Sequence, residues 1–160
     1  MQWLHVLSGV LWVGGGFYTL LVQLPALSAM PMAARGPAML ELAPRQVRYI
    51  LRMAELTLLT GLANVLLSGR ARQLEEPFGS RWAMVMTLGI VLALVLYGLA
   101  RFLTKPLVAR MLAVAPQAAG GDQAAAAQVP VLRDRIRRLG IIQMVIGAVI
   151  IFAMVMARFS

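Results

Sequence analysis

Few side chains in this chain have chemical capacity, and one of them is unique. His5 is the only histidine among 160 residues, cysteine is absent, and methionine occurs 11 times. Without cysteine, disulfides, thiolate metal sites and thiol catalysis are excluded. No carboxylate pair suited to acid–base work is legible, nor a Ser-His-Asp set beyond His5, nor a phosphate-binding glycine loop between strand and helix. What remains is ligation. His5, Met84 or Met86, Met154 and Met156 all fall near one predicted end of the molecule. Imidazole with a thioether is a soft ligand set that suits Cu(I), and it also suits axial ligation of haem iron. Ser8 and Gly9 beside His5 leave room for a flat macrocycle. Plainer readings stand next to these. Methionine is an ordinary filler of irregular cores, and an interfacial histidine can keep its polar tip among headgroups. Met84 and Met86 lie about 200° apart on a helix, so they are alternatives and not a pair.

The elements that must position these residues are membrane helices. The chain is 61% hydrophobic and 13% charged, with a mean hydropathy of +0.80. Soluble domains carry about 25% charged residues, so the expected class is an all-α polytopic membrane protein. Its expected architecture is one domain over residues 1–160, an antiparallel bundle of four transmembrane helices. A spanning helix needs roughly 20 mostly apolar residues. Residues 3–22, 49–68, 82–100 and 139–157 meet that requirement. The first lacks a basic leader and exceeds the length of a signal-peptide core, so it reads as a retained helix.

Within that helix, His5, Ser8, Gly9, Trp12, Gly16, Thr19 and Gln23 step at three and four residues and share one face. Small and polar faces meet other helices in a bilayer, and greasy faces meet lipid. The run Gly14-Gly15-Gly16 then serves close backbone approach. The second helix carries a comparable stripe, Thr57, Gly61, Asn64 and Ser68. The third offers two competing faces. Met86, Gly89, Ala93, Tyr97, Ala100 and Thr104 make one; Met84, Thr87, Val91, Val95 and Gly98 make the other. On the fourth, Gly140, Gln143, Gly147 and Met154 share the packing face.

The connections carry the charge. The first holds Arg35, Arg45, Arg48 and Arg52, and the third holds Arg101, Lys105, Arg110, Arg133, Arg135, Arg137 and Arg138. The second has Arg70, Arg72 and Arg81 diluted by Glu75 and Glu76, and the C-terminus adds Arg158. The positive-inside bias predicts both termini outside and the longer connections in the cytoplasm, as expected of a multi-pass protein of a bacterial inner membrane. The net charge of +9 is read as attraction to anionic lipid headgroups and not to nucleic acid, because no aromatics interleave the arginines. Pro25, Pro31, Gly36-Pro37 and Pro44 are expected to break the first connection into short pieces, with helix two starting at Pro44. Pro106 marks a kink or break. The alanine-rich stretch Ala115–Gln128, running to about residue 130, reads as a flexible link. Glu55 is expected to pair with Arg52.

Leu4-His5-Val6-Leu7-Ser8-Gly9-Val10-Leu11-Trp12-Val13-Gly14-Gly15 resembles the first helix of a group of small bacterial four-helix membrane proteins. That group comprises CopD-type copper-resistance proteins, HemJ-type protoporphyrinogen oxidases and relatives. The layout is similar too. Arg45-Gln46-Val47-Arg48 precedes a helix with Leu59-Thr60-Gly61, Trp82 opens the third helix, and Arg137-Arg138 leads into the fourth. The CopD branch implies copper movement across the membrane. The HemJ branch implies haem b and an oxidase that uses a first-helix histidine, matched by His5, and a third-helix lysine. Met84 stands where that lysine is expected, and Gly98 where a histidine would follow Tyr97. These departures argue against the oxidase activity and leave a His–Met site for copper or haem. Three readings stay open: a copper- or haem-handling membrane protein, a diverged HemJ-type oxidoreductase, and an accessory subunit of a larger membrane assembly or homo-oligomer with no site of its own.

Overall fold

The computed structural model describes residues 1–69 and 71–158, with all their side chains except those of Met32 and Arg158. Arg70, one of the charges counted above, lies outside the described residues, as does the side chain of Arg158. The protein is an all-α four-helix bundle, and four helical rods are long and apolar enough to cross a membrane. The first rod comprises α1 (Gln2–Tyr18), a π-helical turn (Thr19–Gln23) and α2 (Leu24–Ala29). The second is α3 (Met32–Leu67). The third comprises α4 (Arg81–Gly98), a π-helical turn (Leu99–Thr104) and α5 (Lys105–Ala119). The fourth is α6 (Gln123–Arg158). Helix α1 packs chiefly on α3, while α4 and α5 pack on α6. The bundle is therefore two helical hairpins set side by side. One end of it holds the termini and the loop between α3 and α4. The other holds the two hairpin turns.

Several expectations need correction here. The second rod does not start at Pro44 and the first connection is not a string of short pieces: α3 runs 36 residues straight through Pro37 and Pro44. Only Pro31, in extended backbone at the N-cap, interrupts the chain between the first two rods. Arg35 reinforces that turn by donating to the carbonyls of Ser28 and Met30 at the end of α2, which would otherwise lack partners. The stretch expected as a flexible link is also helical, apart from a tight turn at Gly120-Gly121. Alanine is the best helix former, and Met111, Val114, Ala125 and Leu132 close a small core across the hairpin. Asp122 starts α6 by accepting from the N–H groups of Ala124 and Ala125, as an N-terminal capping carboxylate should.

The two π-helical turns have a common cause. Each ends just ahead of a proline, Pro25 or Pro106, which has no N–H to offer the ladder. The Leu24 N–H reaches back five residues to the Thr19 carbonyl, and the Lys105 N–H likewise to Ala100. Such bulges bend a helix and rotate the residues beyond them to a new face.

The central layer draws one buried residue from each rod: Trp12, Ala54, Leu96 and Ile150. Glycine allows close approach around it. A Cβ added at Gly147 would stand 2.9 Å from a Val13 methyl, and one at Gly89 would collide with the Met154 methyl. The outer surface is apolar. Val10, Leu21, Leu59, Leu62, Leu66, Val91, Leu94, Phe102, Val145 and Phe152 are all at least half exposed. Lipid is the solvent that such a surface suits.

Candidate functional site

His5 lies one turn into α1 and is held there by α3. Its Nδ1 sits 2.9 Å from the Thr57 carbonyl oxygen. A carbonyl can only accept, so Nδ1 carries a proton, and in the neutral ring Nε2 is then the nitrogen with the lone pair. Metal-binding histidines are oriented in this way, with the second nitrogen donating to a carbonyl or carboxylate. The wall behind the ring is built from small residues. Ser8 is 1% exposed and donates to the His5 carbonyl. Gly61 faces the imidazole so closely that a Cβ there would stand 2.8 Å from Cε1. Thr57 and Thr60 are buried, and both hydroxyls donate back into their own helix, to Met53 and Leu56. The polar stripe read off the second helix omits Thr60, although it is as buried as Thr57. Its place one residue before Gly61 is the available signal.

The predicted inward face of α1 does turn inward. Gly9 approaches Thr57, and Ser8 and Trp12 are buried, whereas in the run Gly14-Gly15-Gly16 it is Gly15, outside that predicted face, that approaches Tyr49 and Ile50, while a Cβ at Gly14 or Gly16 would meet nothing within 4 Å. For the third helix, the structure selects the first of the two candidate faces. Gly89 is buried, Ala93 and Tyr97 pack on the central layer, and Val91 and Val95 are exposed. Accordingly Met86 is half-buried, whereas Met84 exposes about half its surface (47%). Met154 packs on the central layer against Gly89. His5 thus meets α3, while the methionines Met84, Met86 and Met154 belong to α4 and α6. Among the described residues, no group of three or more His, Asp or Glu side chains could hold a metal ion.

The fit to a metal or haem can be judged from these atoms. A neutral imidazole so oriented would offer its Nε2 to either copper or haem iron. The cavity inside the bundle is a separate feature. It encloses about 170 Å³ between Trp12 and the hairpin-turn end, and His5 does not line it. A group held by His5 would therefore lie outside this cavity.

Glu55 has a different partner from the one expected. The Tyr97 hydroxyl donates to its Oε1 at 3.0 Å, across from α4. No ion pair joins Glu55 to Arg52 among the described residues, where Arg45–Glu41 and Arg138–Asp134 are the pairs formed. A hydroxyl already held in the helix interface loses less freedom than the long Arg52 side chain would.

No protein-family model, curated protein or solved structure matches the chain.

Proposed function

We propose that this is a small multi-pass membrane protein that binds a soft metal centre, a copper ion or haem iron, through His5 Nε2 near the terminal end of the bundle. The observation that carries this reading is the bond from His5 Nδ1–H to the Thr57 carbonyl, which leaves the other nitrogen free to ligate. The resemblance of the first helix to CopD- and HemJ-type proteins supports the same residue. Of the thioethers available as a second donor, Met86 is the half-buried one on α4. When bound, the metal supplies either copper coordination or haem redox chemistry; the chain supplies an oriented donor and a glycine-lined wall. The bundle sits in a bacterial inner membrane with both termini outside, and its arginine-rich end meets anionic headgroups.

A second reading rests on the same geometry. His5 fills a notch over Gly61 and joins α1 to α3, which is what an interhelical polar connector does in a bilayer. This is the reading of an accessory subunit with no site of its own.

Protein purified in mild detergent separates the two. A Soret band, or copper at one equivalent per chain, that disappears in His5→Ala supports the binding reading. Absence of both after loading with haem and with Cu(I), and equal behaviour of His5→Ala, supports the connector.

A further inference from the structure

One side of α3 concentrates positive charge. Arg45, Arg48, Tyr49 and Arg52 step at three and four residues and so share a face, and with Met53 they line a single groove on the outside of the helix. Three guanidinium groups thus gather over two turns, where like charges repel. Only one is neutralised within the chain: Arg45 pairs with Glu41 at 2.8 Å. Arg48 and Arg52 are exposed and join no ion pair among the described residues. The next carboxylate along the helix, Glu55, accepts from the Tyr97 hydroxyl of α4. Arg52 lines the groove with the arginines that precede it, toward the helix N-terminus, the direction in which helical side chains lean. The result is a surface complementary to an anion.

Its place along the helix narrows the anion. The apolar span of α3 begins at Tyr49, so Arg45 and Arg48 precede it and Arg52 stands one turn inside. Headgroups occupy about 5–7 Å on each side of the hydrocarbon, and Arg45 to Arg52 covers roughly 10 Å of helix at 1.5 Å per residue. Tyrosine is enriched at that boundary, and the Tyr49 ring is seated beside α1, 3.5 Å from where a Cβ on Gly15 would stand. Two turns beyond Arg52 on the same face, Leu59 is 66% exposed. The charged groove therefore continues into apolar surface, which suits a headgroup followed by an acyl chain.

We propose that this groove is a site for one anionic phospholipid. The phosphate diester lies between Arg48 and Arg52, with the Tyr49 hydroxyl as a further donor and Arg45 at the outer edge, and an acyl chain runs past Leu59. A planar guanidinium can pair two N–H groups with two phosphate oxygens. A zwitterionic lipid carries the same phosphate but brings an ammonium group among the arginines, so the groove prefers a headgroup without a cation. The proposal rests on the reading that the arginine-rich end meets anionic headgroups, and it replaces diffuse attraction on α3 by a fixed site.

The test uses the full-length protein in mild detergent, titrated with phosphatidylglycerol or with phosphatidylcholine of the same acyl chains, with retained lipids counted by native mass spectrometry. One phosphatidylglycerol should be held at about tenfold lower concentration than phosphatidylcholine. The double variant Arg48→Lys, Arg52→Lys keeps the net charge and loses the planar fork, so it should bind about tenfold more weakly. The same exchange at the exposed Arg133 and Arg135 of α6 should leave binding unchanged, and thermal unfolding checks that both variants are folded. Equal behaviour of the two double variants would overturn the fixed site while leaving the broader headgroup reading intact. No preference for phosphatidylglycerol in the wild type would overturn both. Displacement of the lipid by inorganic phosphate at equal concentration would also overturn the proposal, since the arginines alone would then carry the affinity.

Discussion

At the scale of single residues, the contact between His5 and Gly61 is the most demanding. A Cβ at Gly61 would come within 2.8 Å of the imidazole, whereas one at Gly9 would rest 3.6 Å from Thr57 Cγ2 in ordinary contact. Gly61→Ala should therefore cost about 1–3 kcal/mol through overpacking and weaken ligand binding at His5. Gly9→Ala should be neutral or slightly stabilising, since alanine favours the helix. Thermal unfolding combined with Cu(I) and haem titration checks both; identical behaviour of the two variants would show that the close contact does not matter. A second comparison concerns Glu55. Tyr97→Phe takes away its hydrogen-bond donor and should destabilise the protein by about 0.6–2 kcal/mol. Arg52→Ala should change little, and an equal loss from Arg52→Ala would reinstate the ion pair.

At the scale of elements, the turn joining α5 to α6 isolates one backbone requirement. Gly121 has φ +96, in the left-handed region, whereas Gly120 has φ −78. Gly121→Ala should lose about 1–2 kcal/mol, and Gly120→Ala should lose much less, as read from thermal unfolding in detergent. If the stretch were a flexible link, neither change would register. Here composition alone points the wrong way. Ala115–Gln128 resembles low-complexity linker, yet alanine is also the residue most at home in a helix, and the partner hairpin supplies the packing that decides between them. Prolines mislead in a similar way. Pro37 and Pro44 have the look of breaks, but a helix anchored along its length by neighbours tolerates them. The π-helical turns are not legible from periodicity, because a bulge shifts the phase of every residue after it.

At the scale of the whole molecule, the four spans are legible because 18 or more apolar residues in a row are the mark of a membrane helix. So are the inward faces of the first and fourth rods. Helix α1 turns His5, Ser8 and Trp12 inward, and α6 turns Gln143 and Gly147 toward Thr104 and Val13. His5 stands out by being unique. The cavity between the π-helical turns does not, since it depends on how two hairpins meet and not on any local pattern. Rod lengths of 28, 35, 39 and 35 residues correspond to roughly 40–60 Å at 1.5 Å per residue, against about 30 Å of hydrocarbon. The surplus is enough for the arginine-rich hairpin turns to extend beyond the hydrocarbon layer. On the orientation proposed from the positive-inside bias, a reporter inserted at Gly120-Gly121 reports the cytoplasmic side. A periplasmic signal would invert the molecule and move His5 to the cytoplasmic end.

The central claim is that His5 is an oriented donor with Nε2 free. Because it is the only histidine, protein labelled with nitrogen-15 in histidine alone yields an imidazole spectrum from one residue. The expected spectrum shows a protonated Nδ1 and a bare Nε2 in the unloaded protein, with the Nε2 resonance displaced by one equivalent of Cu(I) or haem. A proton on Nε2, or a spectrum unchanged at saturating levels of both, would contradict it.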